Sequence, residues 1–293
     1  MANPSYNIKD VYSVFNKIDG YFYYKKQNGG SVEYADASIR KYCPKHNGSE
    51  YGTCFSYLQM ARSGVINLLE NLKDKNGLEY DKLAEYAILL LSYKLNQHPE
   101  YKSTKLNDFY TNHIKTNNDY NKKINGDGSP TYKDIIDTKK DLMNMSNNEI
   151  SKFNALFSIL FSFYNENKKN NRDCTNLSQK ANEFVQNFKE LNEDSNINGN
   201  TSYRKLLSTL SNDYDNFKIY CAEKCNDCSD LPTLPEIKTP PSKLIPALST
   251  FSVIPVFLGI AYKYSLFGID KLFQRQYLRK KLKKVKKKLK LNI

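Results

Sequence analysis

Nineteen consecutive uncharged residues, Leu244 to Tyr262, constrain this chain more than any other feature. At about 1.5 Å rise per residue they match a hydrocarbon core of roughly 30 Å, the length of a transmembrane helix. A buried core helix of that length normally keeps a polar stripe, whereas the strongly polar side chains here are Ser249, Thr250 and Ser252. Pro246 falls in the first turn, where a missing N–H costs little, and Pro255 would kink the span without preventing it. Tyr262, Lys263, Tyr264 and Phe267 then fit the headgroup level, as aromatic side chains beside a snorkelling lysine.

The net charge of +13 suggests a polyanion partner until its distribution is considered. Residues 263–293 hold twelve Lys or Arg and one Asp, a net of +11, which leaves +2 for the first 262 residues. That near-neutral remainder argues against a nucleic-acid surface, which needs clustered cations facing phosphates. Basic flanks stay cytosolic, so the tail is expected in the cytosol and the large N-terminal part outside. Met1 to Phe15 has no apolar core and no cleavage site, so no secretory signal peptide is expected.

Within the tail, Leu278, Leu282, Val285 and Leu289 repeat at helical spacing among Lys280, Lys281, Lys283, Lys284, Lys286, Lys287 and Lys288. Such an amphipathic basic helix suits anionic lipids or a cytoskeletal partner, and a solvated stop-transfer run is the plainer alternative.

Upstream, 3.6-residue periodicity dominates. Leu58, Ala61, Val65, Leu68, Leu69 and Leu72 form one stripe, and Leu83, Ala87, Leu90, Leu91 and Lys94 a second. Ser146 and Glu149 have capping-box spacing before the apolar run Phe153 to Tyr164. Two further amphipathic segments lie near Leu177–Leu191 and Tyr203–Phe217. With no sustained alternation, the expected fold class is all-α, five to seven helices joined by Asn/Gly loops such as Asn192–Asn200. The expected organisation is a helical outer domain over residues 1–228, a stiff Pro-rich spacer over 229–243, a span over 244–263 and a basic tail over 264–293.

Cys43, Cys54, Cys174, Cys221, Cys225 and Cys228 all precede the span, as an oxidising outer compartment would have it. Six cysteines allow 15 connectivities; a local Cys43–Cys54 bridge is the first expectation, with Cys225 and Cys228 pairing across the fold. A zinc site from Cys221, Cys225 and Cys228 with His46 or Cys174 has neither a second CxxC nor an HxxxH behind it, so no metal is expected. His46, His98 and His113 sit in polar contexts and read as surface residues. Without a Walker loop, GxSxG, HExxH or GxGxxG, neither an enzyme nor a cofactor site is expected.

The block from Lys243 to Lys290, centred on LGIAYKYSLFG, and the segment EYAILLLSYKLNQ, Glu85 to Gln97, resemble the Plasmodium interspersed repeat (PIR) superfamily of rodent and other malaria parasites. The likeness covers nearly the whole chain. It implies a variant, exported protein of the infected erythrocyte or its surface, acting in antigenic variation and immune evasion through an unidentified host protein, without enzymatic activity. Many members carry a cysteine near the start; this chain has none before Cys43, so the family's disulfide pattern does not transfer. The alternative from another class is a membrane-tethered adaptor in host or parasite cytosol, contacting lipids or cytoskeleton through its tail. Oxidised cysteines separate the first from the second, which keeps free thiols.

Overall fold

A computed structural model describes residues 6–27, 30–45, 49–166, 174–224, 230–239 and 271–288. The chain divides into two compact units, Met1–Thr239 and Pro240–Ile293. Among the described residues of the first unit, six helices reach twelve residues or more: α1 (Ile8–Asp19), α2 (Tyr57–Leu72), α3 (Tyr80–Gln97), α4 (Asn147–Glu166), α5 (Cys174–Glu193) and α6 (Thr201–Lys224).

Each forms for local reasons that the packing then uses. Asn7 caps α1, its side chain accepting from the Lys9 N–H, and Ile8, Val11, Tyr12, Phe15 and Ile18 bury one face. The capping box before α4 is formed: the Ser146 N–H donates to Glu149 at 2.7 Å and the Glu149 N–H to the Ser146 hydroxyl at 3.3 Å. Helix α4 is central, packing against α1, α3, α5 and α6. Its Phe157, fully buried, lies between the rings of Phe15 (centroids 5.0 Å), Tyr93 (5.4 Å) and Tyr12 (6.1 Å). Between α3 and α4 the chain turns through short helical pieces, of which Tyr132–Asp137 opens with a Thr131/Asp134 capping box.

Two expectations need correction. The first unit is not purely helical: β1 (Phe22–Gln27) and β2 (Gly30–Ala35) form an antiparallel hairpin, with Tyr23 opposite Tyr34 and Tyr24 opposite Glu33. The Pro-rich stretch does not leave the domain as a free spacer over its described part. Leu231 is buried in the core, Leu234 and Ile237 pack against it, and the Tyr214 hydroxyl donates to the Pro232 carbonyl at 2.8 Å. Asn192, from a tract expected to be loop filler, is buried and clamps this strap at both ends of its amide. Its NH2 donates to the Glu236 carbonyl at 2.8 Å, and its oxygen accepts the Lys238 N–H at 2.8 Å. Pro fixes extended backbone and gives up an N–H, but the remaining polar groups of a packed strand must still find partners.

Residues 271–288 form a helix whose positions are all exposed. Among the described residues no helix is long and apolar enough to cross a membrane; the run Leu244–Tyr262 and the interface residues Tyr262, Lys263, Tyr264 and Phe267 lie outside them.

Candidate interaction surface

The hairpin presents two faces because side chains alternate along a strand. Its inner face is anchored in the core: Phe22 packs on Tyr57 (5.6 Å), and Tyr24 meets the His98 ring edge-on (4.7 Å). Gly64 in α2 makes room for this, since a Cβ there would meet the Phe22 ring at 2.9 Å. Beneath the hairpin, the buried His98 bonds Glu33 of β2 through Nε2 at 2.8 Å and accepts the Glu100 N–H at Nδ1 at 3.2 Å. His98 is therefore a core residue rather than a surface one, and Tyr57 and Tyr101 pack on its ring. His113 is half-buried beside Phe109, where burial and Arg62 hold its pKa down; His46 lies outside the described residues.

On the outer face Tyr23 and Tyr34 stack across the strands at 4.2 Å, with Val32 and Lys25 beside them, all exposed. Exposed aromatic pairs of this kind supply contact area at low entropic cost, which suits a binding surface.

The same end of the domain holds the one disulfide among the described residues. Cys43 and Cys54 are bonded with their Cα atoms 5.1 Å apart, as expected from sequence. Closing a loop with a sequence separation of 11 stabilises the fold by about 3 kcal/mol on chain-entropy grounds. The loop is also folded tightly onto itself. The Gly52 N–H donates to the Arg40 carbonyl at 3.1 Å and the Thr53 N–H to the Pro44 carbonyl at 2.9 Å. Any side chain at Gly52 would meet the Cys43 carbonyl oxygen at 2.1 Å. Cys54 packs against Ala35, Ile39, Tyr57 and Met60, so the disulfide loop and the base of the hairpin share one small apolar cluster. Tyr51 and Phe55 are exposed on this loop.

A cleft of about 230 Å³ under the hairpin is lined by Asp19, Tyr57, Lys94 and His98. Its charged groups face each other rather than open space: Lys94 bonds Asp19 at 2.6 Å and Gln97 at 2.9 Å. Burial holds the Lys94 ammonium below its usual pKa, and Asp19 offsets part of that shift. Among the described residues no three His, Cys, Asp or Glu side chains are grouped to hold a metal ion. Cys221 is buried in α6, while the Cys174 side chain, Cys225 and Cys228 lie outside the described residues.

The description "Plasmodium variant antigen protein Cir/Yir/Bir" fits a family model that matches residues 12–263, most of the chain. The chain belongs to that family. A solved structure of a Plasmodium PIR protein ectodomain is 36% identical to it, covering 79% of this chain and 99% of the other at a TM-score of 0.58. No curated protein matches.

In this Cir/Yir/Bir member the segment Glu85–Gln97 proves to be scaffold. Glu85, almost wholly buried, takes Lys139 at 2.6 Å and Lys82 at 3.0 Å, and Thr209 of α6 donates to it at 2.5 Å. A buried carboxylate without such partners would be strongly destabilising, so one charge at the start of α3 ties three parts of the domain together. The family match also runs through the whole uncharged segment to residue 263. In the tail, Lys280, Lys281, Lys283, Lys284, Lys286, Lys287 and Lys288 are all exposed on helix 271–288.

Proposed function

We propose that the chain is a variant antigen anchored in a membrane by Leu244–Tyr262. Its helical domain stands outside as the ectodomain and its basic tail lies in the cytosol. The domain meets a host protein, and the surface offered by Tyr23, Tyr34, Val32 and the Cys43–Cys54 loop is where it does so. Export to the infected erythrocyte or its surface, and a part in antigenic variation and immune evasion, follow from the family; the reading assigns no catalysis, no cofactor and no nucleic acid. The observation that carries it is the match over residues 12–263, which joins a domain similar to a PIR ectodomain to an uncharged run of spanning length. Loops and exposed hairpins tolerate sequence change better than a packed core does, so a surface of this kind can vary while the scaffold persists.

The basic tail helix favours a second reading, a membrane-tethered adaptor with its domain in host or parasite cytosol. Redox state separates the two. Mass spectrometry of native protein alkylated in infected cells is expected to recover the peptides of Cys43 and Cys54 linked and unalkylated. Recovery of both as alkylated thiols would remove the outer placement and leave the adaptor.

A further inference from the structure

Helix 271–288 carries ten Lys or Arg and no acidic residue, and it holds its helical form with every position exposed. At 3.6 residues per turn, Leu278, Leu282 and Val285 fall within roughly 60° of one another. They are 56%, 60% and 52% exposed. From Arg279 to Lys288 the cations around that stripe sort into two sets. Arg279, Lys281, Lys286 and Lys288 flank it, whereas Lys280, Lys283, Lys284 and Lys287 project from the opposite side.

Three occupants suit a cationic helix with an apolar stripe, and the pattern favours one. A second copy would set like charges against each other on both flanks of the seam. An acidic partner helix needs a seam sustained over about three or four heptads. Here the described stripe spans three residues, and Leu272, Phe273 and Tyr277 lie on another side of the helix. An anionic bilayer needs neither a long seam nor a partner register. It takes a few apolar side chains at the headgroup boundary, with long cationic stems snorkelling beside them.

We propose that helix 271–288 lies flat on the anionic cytosolic leaflet, seating Leu278, Leu282 and Val285 at the acyl boundary and engaging lipid phosphates and carboxylates through Arg279, Lys281, Lys286 and Lys288. The eight residues 263–270 separate the helix from the uncharged run, so the leaflet is the one the chain is anchored in. The proposal rests on that anchored reading. Lys280, Lys283, Lys284 and Lys287 face the cytosol in this arrangement and contribute less.

The two sets carry the same charge, which makes the proposal separable from plain electrostatic attraction. The chain has no Trp, so L282W places a single reporter in the stripe. The full-length L282W protein is reconstituted in nanodiscs of neutral lipid or of neutral lipid with phosphatidylserine, both with brominated acyl chains. On the anionic discs the indole emission is expected to shift to the blue and be quenched, on the neutral discs not, with release at about 1 M salt, where the screening length is roughly 3 Å. Each surface cation raises adsorption roughly fivefold, so R279Q/K281Q/K286Q/K288Q is expected to lose about 600-fold and K280Q/K283Q/K284Q/K287Q about tenfold or less. Equal losses from the two quadruple variants, or no quenching on anionic discs, overturns the proposal; so does an indole that responds to an acidic helical protein and not to lipid. Quenching by anionic vesicles in a protein that alkaline carbonate strips from them sustains the tail contact and removes the anchor instead.

Discussion

Replacing Phe157 with alanine lowers the unfolding free energy by about 3–5 kcal/mol, the range for truncating a fully buried aromatic. Phe157 has no exposed surface and lies where α1, α3 and α4 converge, against Phe15, Tyr12, Tyr93 and Phe161. These rings come from three helices, so the site collapses little and the cavity term is retained in full. Against a total stability of about 5–15 kcal/mol for a typical domain this is a large fraction. I219A, at a half-exposed position of α6, serves as the control and is expected to cost far less. Denaturant unfolding of both full-length variants gives the comparison, and a Phe157 loss no greater than the Ile219 loss would show that α4 is not the centre of the core.

The second large effect concerns pH. Asp213 on α6 is wholly buried, and burial pushes its carboxyl from 3.8 up to about 7. The Tyr12 hydroxyl donates to it at 3.0 Å and the Tyr86 hydroxyl at 3.0 Å, which oppose the rise, as does the nearby Lys82; Glu85 reinforces it. The Tyr164 hydroxyl donates to the Asp213 carbonyl at 2.9 Å, and Tyr6 reaches the cluster through Tyr86 at 3.3 Å. Between about pH 4 and 7 the folded chain keeps a proton that the unfolded chain has released, so stability from this group is present on the acid side and is lost as pH rises through 7. Across the window from pH 5 to 8 the loss is about 3 kcal/mol. D213N has nothing to titrate there and can still bond both hydroxyls. The stability of D213N relative to the parent is therefore expected to improve by that amount between pH 5 and pH 8. Parallel pH profiles would mean that Asp213 stays ionised in the core.

What the sequence made legible follows from which signals are periodic. The stripes of α2 and α3, the capping box of α4 and the segments that became α5 and α6 are repeated patterns, and each appears as a helix. The local Cys43–Cys54 bridge is the first one expected from the sequence, and it is formed. Helix α1 carries a pattern of the same kind, with apolar residues at 8, 11, 12, 15 and 18.

The hairpin had a signal of its own, Asn28-Gly29 between Phe22–Gln27 and Gly30–Ala35. An Asn-Gly pair between short strands marks a tight hairpin, but Lys and Tyr in place of a clean apolar alternation hide it. His98, Asn192 and Asp213 were beyond reach for a different reason. Each is a polar residue whose local sequence resembles a solvated face, and each is buried because a partner distant in the chain satisfies it: Glu33, the strap at 236–238, and Tyr12 with Tyr86. Pairing across a fold leaves no trace in spacing. The candidate surface was missed with the hairpin, since its outward tyrosines have meaning only after Phe22 and Tyr24 are seen to face inward.

The proposed function turns on the side of a membrane on which the helical domain stands. An epitope tag at the N-terminus, detected on infected erythrocytes with and without permeabilisation, tests it most directly. The tag is expected to be accessible on unpermeabilised cells and to be lost on treatment of intact cells with protease, while a tag after Ile293 is seen only on permeabilised ones. An N-terminal tag hidden until permeabilisation and protected from protease would contradict the outer placement of the helical domain.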